Sequence, residues 1–133
     1  LHLRKAMDMA FAYAPRLRRI PAAIFHSYSG TMRDAESLLA KGVNAYFSFG
    51  APILNGNKRA ASACMAVPAD RILAETDAPW QPPRSEELVA DRFCRAEDIG
   101  RVVAGMAALR GIEAAEAERL TAENFARAYG TAI

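Results

Sequence analysis

The sequence places two histidines and one aspartate where apolar stretches end. His2 lies in the opening residues 1–3, His26 closes the stretch "AAIFH", and Asp77 follows "RILAET". Neutral imidazoles offer nitrogen lone pairs and a carboxylate offers negative charge, a suitable ligand set for Zn²⁺, Mn²⁺ or a similar ion. Taken singly, such a histidine is more often a hydrogen-bonded surface residue, and such an aspartate a turn former. Together, at the ends of three apolar stretches, they indicate a metal site.

Two charged residues lie close to these candidates. Arg4 follows His2 by two residues, so it would either reach the same edge of the fold or remain solvated. Glu75 shares a strand face with Asp77 because side chains alternate along a strand. Glu75 would therefore either support the metal ligands or form a buried ion pair.

Two further candidates follow the strands. Ser29 is one of the polar residues in "HSYSG", directly after the second apolar stretch. Trp80, the chain's only tryptophan, lies between prolines in "APWQPPR". Its ring would either stack on a base or sugar or pack its loop against the core. The basic run at 16–19 would contact phosphates or, more commonly, form a solvated surface.

The elements that must position these residues alternate between strand and helix. Periodicity and capping signals predict a strand ending at residue 3, then strands at 22–26, 43–49 and 71–76, with helices at 5–14, from 31 to 42, at 57–65 and from 99 onward. Pro15 is expected to end the first helix. Thr121 is expected to open the last helix, which would pack Phe125 and Tyr129.

Repeated strand–helix units predict an α/β fold with a parallel sheet. About four such units fit either half of an eight-stranded barrel or a small doubly wound sheet. The sequence has no glycine-rich phosphate loop, which disfavours a dinucleotide-binding fold. In parallel α/β folds the carboxyl ends of the strands carry the functional site. His2, His26 and Asp77 all fall at that edge.

The amino-acid composition limits the possible classes of protein but does not identify a binding partner. The chain has 133 residues, 52% of them hydrophobic, and a formal net charge of +2. The two cysteines lack metal or redox spacing, so we expect reduced thiols in the cytoplasm. No apolar run approaches the ~20 residues of a membrane span. The opening "LHL" reads as a strand already under way, so we expect the chain to be part of a longer protein.

Several motifs occur in a familiar order and spacing. "LHLRKA", "FHSYSGT", "RILAETDAPW" and the closing "TAENFARAYG" run along essentially the whole chain. Together they closely resemble the second half of the TatD-like metal-dependent deoxyribonucleases, relatives of the amidohydrolases. The resemblance implies a (β/α)₈ TIM barrel, of which residues 1–133 would be the C-terminal half. The family's H-x-H pair and glutamate from the first half have no counterpart here.

The resemblance also implies a site with two divalent ions, Zn, Mg or Mn. By carry-over, His2 and His26 would bind one ion, while Asp77 would bind the other and handle the proton of the attacking water. Arg4, Ser29 and Glu75 would support the site. The implied substrate is DNA, cleaved at phosphodiester bonds without sequence preference, typically from a 3′ end.

Three functional hypotheses remain open from the sequence. The first is the deoxyribonuclease, and the second is a hydrolase of the same fold acting on a small ester, amide or lactone. The third is a catalytically inactive fragment that binds a partner. A half barrel leaves sheet edges open, so we expect either the missing N-terminal half or a homo-oligomer to complete it. No membrane association is expected.

Overall fold

The computed structural model describes residues 1–3, 6–84 and 93–131. Its strands are β1 (Ala23–Phe25), β2 (Ala45–Phe49) and β3 (Ile72–Ala74). Its α-helices are α1 (Met7–Leu17), α2 (Met32–Ala40), α3 (Lys58–Ala66), α4 (Ile99–Arg110) and α5 (Ala114–Tyr129). Short 3₁₀ turns span Ala51–Ile53, Ala69–Arg71 and Ala96–Asp98. The predicted α/β class is confirmed, and the strands predicted at 22–26, 43–49 and 71–76 are present, whereas the strand predicted to end at residue 3 is seen among the described residues only as an isolated bridge at His2.

The three strands form one parallel sheet in the order β1-β2-β3. Phe25 pairs with Phe47, and Phe47 pairs with Ile72, so the carboxyl ends of all three strands meet at one edge. The opening residues run beside β1. His2 forms a parallel bridge with His26, and the backbone N–H of His26 donates to Leu1 O at 3.0 Å.

Aromatic side chains on one face of the sheet pack against the helices. Phe25, Phe47 and Phe49 are each at most 1% exposed and share a core with alanines and leucines of α1, α2 and α3. The rings of Phe25 and Phe47 lie 5.6 Å apart between centroids. The opposite face is also covered at its centre, because Tyr46 and Leu73 are each 4% exposed. Burial on both faces is typical of parallel sheets.

Two helix starts are fixed by side-chain caps, and both lie just beyond the carboxyl ends of strands. Thr31 and Asp34 form a reciprocal capping box at the start of α2, as predicted. Asn57 caps α3 by accepting a hydrogen bond from the Ala60 N–H at 3.1 Å. The loops that follow β1 and β2 are therefore held close to the edge that carries the candidate site.

The predicted end of the first helix is wrong. The helix continues through Pro15 to Leu17 instead of stopping before the proline. Pro15 lies in the last turn, where the loss of one backbone donor affects few of the helical bonds. The residue after the helix closes it, because the Arg18 N–H bonds to Ala14 O at 3.0 Å.

The predicted start and packing face of the last helix are also wrong. Helix α5 begins at Ala114, and Thr121 lies inside it, with its hydroxyl donating to Ala117 O at 2.9 Å. A threonine can satisfy its hydroxyl in this way within a helix, so its cap-like spacing was misleading. Phe125 and Tyr129 stack on each other but remain 52% and 59% exposed.

None of the helices among the described residues is long and apolar enough to cross a membrane.

Candidate metal centre at the carboxyl ends of the strands

His26 lies between two carboxylates that both come from the end of β3. Its Nδ1 is 2.8 Å from Glu75 Oε2, and its Nε2 is 3.3 Å from Asp77 Oδ1. His26 directly follows β1, and β2 separates β1 from β3 in the sheet. The two acids therefore reach across the end of the central strand. His26 thus meets two acids that lie about fifty residues further along the chain.

Glu75 uses both carboxylate oxygens to hold the segment that follows β1. Oε2 contacts the His26 ring, and Oε1 accepts the Ser27 backbone N–H at 2.8 Å. A glycine at the end of β2 makes room for this side chain. A Cβ on Gly50 would lie 3.3 Å from Glu75 Cγ and 3.2 Å from Glu75 O. A larger residue at position 50 would therefore crowd the acid.

The contact with Glu75 sets the chemistry of the His26 ring. An anionic carboxylate accepts but does not donate, so it selects the ring form with a proton on Nδ1. In the neutral ring this leaves a lone pair on Nε2, close to the Asp77 carboxylate. In the ring protonated on both nitrogens, His26 forms an ion pair with both acids. The neutral form with its carboxylate partner is the usual arrangement of a metal-binding histidine.

His2 adds a second imidazole to the same place. Its ring centroid lies 5.4 Å from that of His26, and the two planes are inclined by 40°. His2 is exposed, whereas His26 is half-buried. The bridge between the two backbones brings the rings side by side. Their proximity follows from the parallel register rather than from any feature of the loops.

A cavity of about 510 Å³ opens at this edge. Its lining includes several of the predicted site residues together with two that the sequence did not indicate: His2, Ser27, Ser29, Asp77, Trp80 and Gln81. Of the two alternatives for Trp80, packing of its ring against the core does not occur, because its side chain is 66% exposed. Glu75 is excluded from the lining and contacts His26 from the strand side.

Backbone strain is concentrated around the same cavity. Ser27, Asp77 and Gln81 have φ angles of 48°, 59° and 53° and are the non-glycine residues with positive φ among those described. All three line the cavity. Left-handed backbone at such residues costs about 1–3 kcal/mol each and is concentrated at functional sites. Its clustering here supports a functional cavity.

Gln81 is the main contact that sequence reasoning missed. Its side-chain amide donates to Asp77 Oδ2 and lies 3.5 Å from Ser27 Oγ. It therefore ties the loop after β3 to the loop after β1. The sequence offered little indication of this contact beyond a polar residue four positions after Asp77, because the contact depends on left-handed backbone at both Asp77 and Gln81.

Tyr28 forms the floor beside these loops. It is buried, its ring contacts that of Phe47 at a tilted angle with centroids 4.7 Å apart, and its hydroxyl donates to Thr31 O at 2.7 Å. Burial raises the pKa of the Tyr28 phenol well above its usual range, and the nearby Asp34 carboxylate adds to this effect. The phenol therefore remains neutral and acts as a hydrogen-bond donor.

Ser29 and Arg4 are the remaining residues that the sequence predicted for the site. Ser29 is exposed and lines the cavity. Arg4 lies outside the described residues. Across residues 1–3, 6–84 and 93–131, no three side chains of His, Cys, Asp or Glu form a group already arranged to hold an ion. The pair formed by His26 Nε2 and Asp77 Oδ1 is thus a partial ligand set.

Comparison with known proteins gives consistent matches over nearly the whole chain. A family model described as TatD related DNase matches residues 1–130. The 3′-5′ ssDNA/RNA exonuclease TatD of Erwinia tasmaniensis is 31% identical over 131 residues, covering 97% of this chain and 51% of that protein. An uncharacterized metal-dependent hydrolase of Mycoplasma genitalium, MG009, is 29% identical over 128 residues, covering 93% of this chain and 48% of that protein.

The fold is also shared with solved structures. The crystal structure of YJJV, a TatD homolog from Escherichia coli K12, matches with a TM-score of 0.85 and 23% identity. The match covers 99% of this chain and 49% of that one. The chain spans about half the length of the curated relatives it matches. Since the family model matches almost all of its residues, the chain belongs to the TatD related DNase family.

Proposed function

We propose that this chain carries part of the active site of a divalent-metal-dependent hydrolase that cleaves phosphodiester bonds in DNA. The observation that carries the proposal is the position of His26 between Glu75 and Asp77, of which Asp77 lines the cavity. The relative from Erwinia tasmaniensis is named as an exonuclease of ssDNA and RNA, which supports nucleic acid as the substrate class.

The side chains present fit part of a metal shell. His2 and His26 supply imidazole nitrogens, and Asp77 supplies a carboxylate oxygen 3.3 Å from His26 Nε2. With the His26 ring neutral and its proton on Nδ1, these two atoms are both acceptors and suit a cation, either Zn, Mg or Mn. A family site with two ions needs further ligands, which we assign to groups outside the described residues. Bound divalent ions would polarise the phosphate and lower the pKa of a bound water.

The protein's own residues would prepare the site for that chemistry. Asp77 would accept the proton of the attacking water, since its carboxylate faces the cavity. Glu75 would hold the His26 ring in the form that presents the Nε2 lone pair. Gln81 would restrict rotation of the Asp77 carboxylate by bonding its other oxygen. Ser29 would contact the substrate, and Arg4 is retained as a candidate for the same role.

We further propose that the fold is the C-terminal half of a (β/α)₈ barrel. The support is the run of parallel strands and the coverage of about half of each relative. Strand β3 lies at one edge of the sheet, and the segment beside β1 lies at the other. Unpaired edges attract further strands. Complementary βα units or a second copy would therefore close the barrel, and light scattering should detect self-association of this chain alone.

A reducing cytoplasm is the location that we propose. Cys64 is a buried free thiol, which suits that compartment.

A metal-activated nuclease assay tests the main proposal. A 3′-labelled single-stranded oligonucleotide is incubated with the protein, and Mg, Mn and Zn are compared after removal of ions with a chelator. We expect activity only with added metal, and loss of both activity and metal binding in His26→Ala and Asp77→Asn. Asp8→Asn is a matched control, because Asp8 is exposed on α1.

The alternative outcomes are equally informative. Hydrolysis of a small ester or lactone without oligonucleotide cleavage would favour the second hydrolase hypothesis over the nuclease. Wild-type metal binding in both site variants, measured by elemental analysis after dialysis, would reject the proposed ligands. A protein that neither binds metal nor cleaves any of these substrates would be a non-catalytic chain.

A further inference from the structure

Trp80 presents a large aromatic surface to solvent beside the candidate site. The side chain is 66% exposed and lines the cavity together with Asp77. The two residues belong to one turn, because the Trp80 backbone N–H donates to Asp77 O at 2.8 Å. Tryptophan side chains are usually largely buried, so an exposed one at a cavity mouth lacks the stabilisation that burial provides. Its position therefore points to a ligand.

The loop that carries this ring is anchored on both sides. The Cys94 N–H donates to Pro79 O at 2.9 Å, and Asn55 Nδ2 donates to Pro82 O at 3.1 Å. Pro83 is fully buried. Proline rings also restrict the backbone on either side of Trp80. The backbone is thus fixed while the ring remains accessible, which is the arrangement of a preorganised binding surface.

We propose that Trp80 is a stacking platform for the nucleobase next to the scissile phosphodiester bond. This inference rests on the proposed function and names the part of the substrate that the cavity mouth recognises. Every base has a π-face, so stacking on tryptophan binds nucleotides without reading sequence. A base paired within a duplex has both faces covered by its neighbours. Trp80 therefore selects unpaired ends over duplex ends.

The chain's single tryptophan provides a direct test, because its intrinsic fluorescence reports on Trp80 alone. A short thymidine oligonucleotide with cleavage-resistant phosphorothioate linkages is compared with an abasic oligonucleotide of the same length and backbone. We expect a saturable change in fluorescence with the thymidine oligonucleotide and none with the abasic one. Equal responses to the two ligands would overturn the inference, because charge alone would then explain binding.

A second readout separates this inference from the proposed function. If a labelled thymidine oligonucleotide binds by anisotropy but Trp80 fluorescence does not change, the stacking role is wrong while nucleic-acid binding stands. If no oligonucleotide binds, the stacking role is also wrong. Metal-dependent hydrolysis of a small phosphodiester then decides separately whether the hydrolase proposal survives.

Substitution of Trp80 measures how much the ring contributes to oligonucleotide affinity. Trp80→Ala should raise the Kd for the thymidine oligonucleotide roughly 5- to 150-fold, and Trp80→Phe should recover part of the affinity. Tyr13→Ala is the matched control, since Tyr13 is an exposed aromatic residue on α1 outside the cavity. An unchanged Kd in Trp80→Ala would reject the platform.

Discussion

The Glu75 carboxylate holds His26 through both its side chain and the backbone that follows it. Oε2 lies 2.8 Å from His26 Nδ1, and Oε1 accepts the Ser27 N–H at 2.8 Å. One acid therefore controls the rotation of the ring and the path of the chain after β1. Because Asp77 lies two residues beyond Glu75, the same segment places a second carboxylate at the other ring nitrogen.

Glu75→Gln should change which nitrogen of the His26 ring carries the proton and should also lower the stability of the fold. The glutamine amide can still accept the Ser27 N–H, but its NH₂ group then faces His26 Nδ1. The ring would have to accept there and carry its proton on Nε2, so its lone pair no longer faces Asp77. We expect metal affinity to fall about 10- to 100-fold and the free energy of unfolding to fall by about 2 kcal/mol.

Calorimetry measures the metal affinity, and ¹⁵N chemical shifts of His26 report which ring nitrogen is protonated. Glu36→Gln serves as the control, because Glu36 is exposed on α2. A variant that retains the wild-type ring tautomer and metal affinity would show that Glu75 is only a structural residue.

Gln81→Leu should affect turnover more than substrate binding. The leucine removes the donor to Asp77 Oδ2 but preserves much of the side-chain volume. With one oxygen released, the Asp77 carboxylate can rotate away from the productive orientation. We expect kcat to fall about tenfold, consistent with loss of positioning, while KM changes little. A raised KM with unchanged kcat would instead assign Gln81 to substrate contact.

The strand-end residues could be predicted because their position follows from a repeated local pattern. Alternating strand and helix signals imply a parallel sheet, and a parallel sheet brings the ends of its strands to one edge. This reasoning places His26 and Asp77 at the same edge, whereas their contact also depends on the strand order and on the left-handed turn at Asp77. Glu75 lies just beyond β3, which ends at Ala74, and the sequence left open whether it would support the ligands or form an ion pair.

The loop contacts could not be predicted, because they depend on backbone conformations that the sequence does not favour. Gln81 reaches Asp77 through left-handed turns at both residues, although neither residue type prefers that region as glycine does. Thr121 illustrates the opposite error. Its spacing resembles a helix cap, yet the hydroxyl bonds inside α5 because the preceding residues already form helix.

Gly30→Ala should destabilise the loop that leads into α2. A Cβ at this position would lie 2.4 Å from the Tyr28 hydroxyl oxygen and 2.6 Å from Cζ. The buried Tyr28 ring cannot easily move, since it packs on Phe47 and bonds Thr31 O. Overpacking of this kind typically costs about 1–3 kcal/mol, which urea unfolding can measure.

Gly100→Ala is the matched control for this substitution. Gly100 lies in α4, and a Cβ there meets no other atom within 4 Å. Alanine favours helix over glycine by up to about 1 kcal/mol, so this variant should be slightly stabilised. Equal effects of the two substitutions would contradict the close packing of Tyr28 over Gly30.

Cys64 should make the fold sensitive to alkaline pH. Burial in the core beside α4 raises the pKa of the Cys64 thiol to about 11, and the nearby Arg110 charge opposes this only in part. In the unfolded chain the thiol loses its proton near pH 9. Between these values the unfolded state binds fewer protons than the folded state. The free energy of unfolding must therefore fall as pH rises from about 9 to 11, by up to about 1.4 kcal/mol per pH unit from this group.

Cys64→Ala isolates this contribution, although the lost sulfur lowers stability at every pH. Plots of unfolding free energy against pH for wild type and variant should be parallel below pH 8 and converge above pH 9, where only the wild type loses the thiol contribution. The Tyr28 phenol titrates in both proteins and cancels in the difference. Curves that stay parallel through pH 11 would mean that the thiol ionises as readily in the folded protein as in the unfolded chain.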